Sequence, residues 1–281
     1  MLNNYILWDK APNTICEGAR VYTKTFTFDT NNEFKDRLVR VYLPSTYDFS
    51  NPNHRFRTIY MFDGKNLFDD YTSFVGEWGI DETIEDFIEN KESEGYIVIG
   101  IDAPKTDIAR SLEMSPDELT GKPFYRMKVG NEYYASKLAK FVVEELKKDI
   151  DETFFTKPER EYTGVGGSSM GGIMAFYMGI RYPQVFKYCL NFSPAFSLFT
   201  WTSFKKMLDG HINKNLPKQF FYVGGVGFEH AFIHSTIKTY KYFLKHNYSE
   251  KDVCFVFDKE KEHNEKAWRE YFPQAIKMMD F

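Results

Sequence analysis

The 281-residue chain has little cysteine, only Cys16, Cys189 and Cys254, with no C-x-x-C pair. An odd count without paired spacing excludes a disulfide framework and gives no zinc-site pattern. Cys189 and Cys254 fall in apolar, strand-like runs, where cysteine acts as a small buried hydrophobe. Long hydrophobic runs are also missing. The longest, Tyr96-Ile97-Val98-Ile99-Gly100-Ile101, is far too short to span a bilayer. The first ten residues carry no basic start and no extended apolar stretch, so they do not read as a signal peptide, and a cytoplasmic protein is expected. An excess of one charge is absent: 36 basic and 40 acidic side chains leave a net charge of -4, which argues against nucleic acid or an anionic membrane as partner. There is no internal repeat, low-complexity segment or linker, so residues 1–281 are expected to form one domain.

What is present in excess is aromatic. Aromatics make up 18% of the chain, with 28 Phe and 19 Tyr, more than a core alone needs, so some are expected to line a pocket. The periodicities change along the chain. Arg20–Phe28 and Arg37–Leu43 alternate as strands, separated by the turn cluster Asp29-Thr30-Asn31-Asn32. Thr58–Phe62 and Tyr96–Ile101 are continuous apolar runs of the kind covered on both faces. Helical spacing appears at Ile80–Ile88. It appears again in a long stretch that puts Tyr134, Leu138, Phe141, Val142 and Leu146 on one face. Further strands are expected at Glu161–Val165, Phe186–Phe192, Gln219–Val223 and Val253–Phe257. Helices are expected near Trp201–Leu208, Ala231–Lys245 and Lys266–Met279. Alternating strands and helices imply an α/β fold: a mostly parallel central sheet with antiparallel N-terminal strands and helices on both faces. The connection from Asp102 to Asn131 is long for a compact domain, and such segments often build pocket walls.

Between one strand and one helix lies Gly166-Gly167-Ser168-Ser169-Met170-Gly171-Gly172. No lysine follows these glycines, which excludes a P-loop reading. Gly167–Gly171 fits G-x-S-x-G, the sharp strand-to-helix turn that lifts a serine hydroxyl to a helix N-terminus. Ser169 is therefore the candidate nucleophile. Its base should lie downstream, and His263 sits best, in a polar loop just after the last strand, at the carboxyl edge where α/β sites form. Glu229, ending a glycine-rich loop, is chosen as the orienting acid; Asp258 is the rival and Asp209 a weaker one. An oxyanion hole needs two N–H groups. Met170 offers one, and the loop Asp63–Phe68 the other, from Lys65 with Asn66 as fallback. Gly64 leaves room for a backbone approach there. Pocket walls are expected from residues 102–131, with Phe124 or Tyr125 facing the site, and from Phe196 to Trp201.

Together, Tyr60–Asp69, Gly166–Gly172, Ser193-Pro194, His263-Asn264-Glu265 and Trp268-Arg269 resemble the putative esterase (esterase D-like) family of α/β-hydrolases. Val-Tyr-Leu-Pro within residues 37–47 and Arg110–Pro116 add to the likeness, which runs from about Val21 to Ile276. The family includes siderophore, feruloyl and acetylxylan esterases, S-formylglutathione hydrolases and mycolyltransferases. The resemblance implies a serine carboxylic-ester hydrolase with Ser169, Glu229 and His263 as triad and the Lys65 and Met170 amides as oxyanion hole. No metal and no cofactor are implied. A siderophore lactone or a small acyl ester is the expected substrate, since neither a secretion signal nor an appended N-terminal domain is seen. An acyltransferase on the same triad and an inactive binding module are the alternatives.

Overall fold

A computed structural model describes residues 2–28, 35–212 and 215–279; the turn expected at Asp29–Asn32 lies outside them. Nine strands form one open mixed sheet: β1 (Ile6–Leu7), β2 (Arg20–Thr27), β3 (Asp36–Leu43), β4 (Arg57–Phe62), β5 (Tyr96–Ile101), β6 (Thr163–Ser168), β7 (Tyr188–Phe192), β8 (Lys218–Gly224) and β9 (Val253–Asp258). Their order is β1-β2-β3-β5-β4-β6-β7-β8-β9. The pairs β1–β2, β2–β3 and β3–β5 are antiparallel, and every pair from β5 to β9 is parallel.

Alternation along the central strands fills a core on each face. From β4, Tyr60 and Phe62 point into one core and Ile59 and Met61 into the other; β5 divides in the same way. Both faces are dry, which is why these strands read as unbroken apolar runs. Helices α1 (Ile80–Glu89) and α9 (Glu265–Lys277) cover one face. The other is covered by α6 (Met170–Arg181), α7 (Trp201–Asp209), α8 (His230–Lys245) and a long helical run. That run is α4 (Ala135–Lys140), a π-helical segment Phe141–Leu146 and α5 (Lys147–Thr153). No helix among the described residues is long and apolar enough to cross a membrane.

Three expectations need correcting, and one short strand was not expected. The nucleophile strand starts later and runs further than Glu161–Val165, because Gly166, Gly167 and Ser168 continue the ladder with β7. The strand expected from Phe186 begins at Tyr188; Phe186 instead closes a turn onto Tyr182. The segment after β5 is not plain loop. It folds into α2 (Asp107–Glu113), capped by the Thr106 hydroxyl, and α3 (Pro123–Val129), started by a proline at its first position. Finally β1, two exposed residues long, carries no readable sequence pattern.

Order in the sheet matters most at β5-β4-β6. The chain leaves β4 toward β5 on one side and returns to β6 on the other, so the loops after β4 and β6 diverge. A crevice opens at such a switch point, above the carboxyl ends of the strands. The two segments that meet there are Asp63–Asn66 and Ser169-Met170.

Candidate active site

Ser169 stands between β6 and α6 with φ 56° and ψ −116°, a conformation L-residues rarely adopt. Its neighbours make that backbone unavoidable. The Ser169 N–H donates to the Phe192 carbonyl at 3.0 Å, and its own carbonyl accepts from Ala195 at 3.0 Å and Ile173 at 3.2 Å. Gly167 lies so near Gly171 that a Cβ on it would stand 2.8 Å from the Gly171 backbone. The spacing of the two glycines is thus a packing requirement of the turn.

Glu229 lies after β8 and His263 after β9. The Gly225 and Val226 N–H groups both donate to the Lys261 carbonyl at 3.0 Å, which ties the two loops together. His263 Nδ1 is 3.0 Å from Glu229 Oε1. Glu229 is fully buried. The same Oε1 accepts a short bond from the Ser193 hydroxyl, and Ser193 Oγ in turn accepts from Trp268 Nε1 at 3.0 Å. The His263 ring stacks on Phe232 at 5.0 Å and meets the edges of Trp268 and Phe228 at 5.0 and 5.4 Å. This aromatic collar fixes the ring plane. Asp258, the rival acid, accepts from the Tyr271 hydroxyl at 2.5 Å and from the Glu260 N–H at 2.9 Å, and those bonds hold its carboxyl below the usual range. Asp209 bonds Lys205 and Tyr242 at the end of α7.

Across the crevice, Asp63 sits at φ 60°. Arg110 of α2 grips its carboxylate with two bonds of 2.6 and 2.7 Å. Gly64 packs against β5 so closely that a Cβ would come within 2.6 Å of the Gly100 carbonyl carbon. The Asn66 N–H is already given to the Asp63 carbonyl at 2.9 Å, and its side chain bonds Glu265 at 3.0 Å. Burial raises the Glu265 carboxyl above its ordinary value. Among the described residues, the Lys65 and Met170 N–H groups have no acceptor in the protein. Met170 is the first residue of α6, where helix geometry leaves that N–H without an intrahelical partner.

The expected pocket residues divide. Phe196 and Trp201 line a cleft of about 230 Å³ together with residues of α8. Phe124 is 59% exposed. Tyr125 is buried against Tyr133 and Phe199, and its hydroxyl is committed to Ser115 Oγ at 2.7 Å and the Ser111 carbonyl at 3.2 Å. Its ring meets Phe199, which lines the cleft of about 230 Å³, at 5.5 Å. Ser193, Trp268, Asp63 and Arg110 all lie in the segments that carry the family resemblance, but the sequence did not show that Ser193 pairs with Trp268 or Asp63 with Arg110; the fold brings both pairs together.

The described residues contain one grouping with metal-type ligands, Cys16, Asp81 and Glu82, with donor atoms within 4.8 Å of each other. It lies by α1, where burial raises the Cys16 thiol and pushes the Asp81 carboxyl up to about 8.

Residues 32–278 match the family model described as Putative esterase. The chain belongs to that family. Its members' chemistry makes it a carboxylic ester hydrolase. Solved structures show the same fold. A ferulic acid esterase superposes with a TM-score of 0.65 at 17% identity, over 93% of this chain and 98% of its own. The BES protein from Bacillus cereus gives 0.68 at 16%, over 98% and 99%. The siderophore hydrolase EstA from Aspergillus nidulans gives 0.67 at 17%, over 92% and 94%. No curated protein sequence matches the chain.

Proposed function

We propose that this esterase works through Ser169, His263 and Glu229 and forms an acyl-enzyme. Two observations support the reading: the buried Glu229 carboxylate lies on His263 Nδ1, and Ser169 is held in a rarely adopted backbone conformation at the head of α6. With Nδ1–H donated to Glu229, Nε2 is the free base. It takes the Ser169 proton as Oγ attacks the ester carbonyl carbon. The oxyanion that forms accepts the Met170 and Lys65 N–H groups, which need no reorganisation to receive it. The tetrahedral species collapses with cleavage of the carbon–oxygen bond, and His263 gives its proton to the departing alcohol. Water then enters, loses a proton to His263 and attacks the acyl carbon; collapse frees the acid and returns the proton to Ser169. A small acyl ester or a siderophore lactone is the proposed substrate.

A fluorophosphonate probe tests this directly. It should label one site in the wild type, mapped by mass spectrometry to Ser169. Ser169→Ala should remove both labelling and ester hydrolysis, lowering kcat by up to about 10⁶-fold. Labelling that persists in Ser169→Ala, or that maps to the neighbouring buried Ser168, refutes the assignment.

A further inference from the structure

A cationic cleft begins beside the candidate site. Its near part, about 230 Å³, is lined by Phe196 and Ser197, which follow the Ala195 N–H bonded to Ser169, and by Ala231, two residues past Glu229. The far part, about 620 Å³, shares Trp201, His234 and Lys238 with it and continues along the groove between α7 and α8. Lys122, Lys205, Lys238, Lys241 and Lys245 line the two parts, and no carboxylate lines either. Only Lys205 has a carboxylate partner, Asp209 at 2.5 Å. Lys122, Lys238, Lys241 and Lys245 form no ion pair among the described residues.

This is unusual for a chain of net charge -4 with 40 acidic residues. An ordinary solvated helix face mixes signs. α8 contains no Asp or Glu in 16 residues. Its lysines at 238, 241 and 245 are three and four apart, on one face, a spacing at which like charges destabilise a helix by about 0.2–0.5 kcal/mol a pair. Lys238 is also held in place, with Nζ 4.3 Å from the centroid of Trp201. A concave surface with fixed, unpaired positive charge and aromatic walls focuses an anion.

We infer that the α7–α8 cleft binds an anionic group, of the carboxylate or phosphate class, carried by the ester substrate several bonds from its carbonyl. The inference rests on the esterase reading for its placement next to Ser169, and the far cations lie down the length of α8. Since α8 rises about 1.5 Å per residue, the four residues from His234 to Lys238 span about 6 Å and the seven to Lys245 about 10 Å more. The substrate is accordingly extended.

The test uses 4-nitrophenyl half-esters of α,ω-dicarboxylic acids, from succinate to dodecanedioate, against their neutral ω-methyl esters. With wild-type protein, the ratio of kcat/KM for the anionic over the neutral member should rise with chain length to about tenfold or more at low salt, and should shrink as ionic strength grows. Lys238→Gln combined with Lys241→Gln should bring that ratio close to one, and Lys238→Arg should keep it. Calorimetric binding of the same pairs to Ser169→Ala gives a readout that needs no turnover. Preferential binding of the anionic ester without hydrolysis by the wild type would keep the cleft assignment and sink the esterase mechanism. Hydrolysis with equal ratios at every chain length, or a ratio unmoved by the double variant, would overturn the cleft assignment and leave the mechanism standing.

Discussion

Ser193 is the sharpest lever on this site. Its hydroxyl donates to Glu229 Oε1 and accepts from Trp268 Nε1, and the residue is fully buried at φ 42°. Ser193→Ala removes one atom and strands two groups. Loss of a hydrogen bond to a charged acceptor costs about 1.5–3 kcal/mol, and a buried indole N–H without an acceptor about 1–3 kcal/mol, together about 2.5–6 kcal/mol of stability. Glu229 Oε2 is buried with no partner among the described residues, so nothing else restrains the carboxylate except His263. The imidazole orientation should loosen with it, and a misplacement of about 1 Å can cost about 100-fold in rate. Urea unfolding and steady-state kinetics on one ester read both effects. Ser193→Gly separates hydroxyl from backbone. Glycine relieves the left-handed φ and should recover about 1 kcal/mol relative to Ser193→Ala, while kcat stays low. Wild-type kcat and stability in Ser193→Ala would refute the relay. Full recovery of kcat in Ser193→Gly would show that backbone strain, not the hydrogen bond, is what matters.

Arg110→Gln breaks the two bonds that hold Asp63, and should lower kcat by about 10–100-fold with little change in KM, because that turn carries the Lys65 N–H proposed as an oxyanion donor; an unchanged kcat would mean that the turn holds itself. The third prediction concerns pH. Burial, aided by Glu82, pushes Asp81 up to about 8 and Glu77 up to about 7, from ordinary values of 3.8 and 4.5. The folded form then keeps protons that the unfolded chain has released, so stability falls as pH rises from about 4 to 8. Melting temperature followed over that range should decline, and Asp81→Asn should flatten the decline; parallel curves for the two proteins would exclude Asp81 as the cause.

Much of the fold was legible because its signals are local. Unbroken apolar runs at Thr58–Phe62 and Tyr96–Ile101 mean strands buried on both faces, and Gly167 and Gly171 flanking Ser169 mean a turn too tight for side chains. These follow from backbone sterics and solvent exclusion, which a sequence carries residue by residue. The start of α9 was partly readable too, from the polar loop that holds Asn264, whereas Thr106, which caps α2, lay in a stretch expected to be a long connection. The residue type and chain order that single out His263 and Glu229 are likewise local; their 3.0 Å contact is not. It depends on β8 and β9 lying side by side and on two N–H groups meeting the Lys261 carbonyl. Ser193 is legible as part of the Ser193-Pro194 resemblance segment, but its bond to Glu229 appears only when the sheet sets β7 beside β8. Tyr125 reads as a pocket aromatic until α2 offers its hydroxyl the Ser111 carbonyl and Ser115 stands beside it. The unpaired lysines of α8 look like a solvated face until α7 turns that face into a cleft. In each case the deciding quantity is a distance between elements far apart in the chain. Such distances are set by packing the whole core, and no local pattern encodes them.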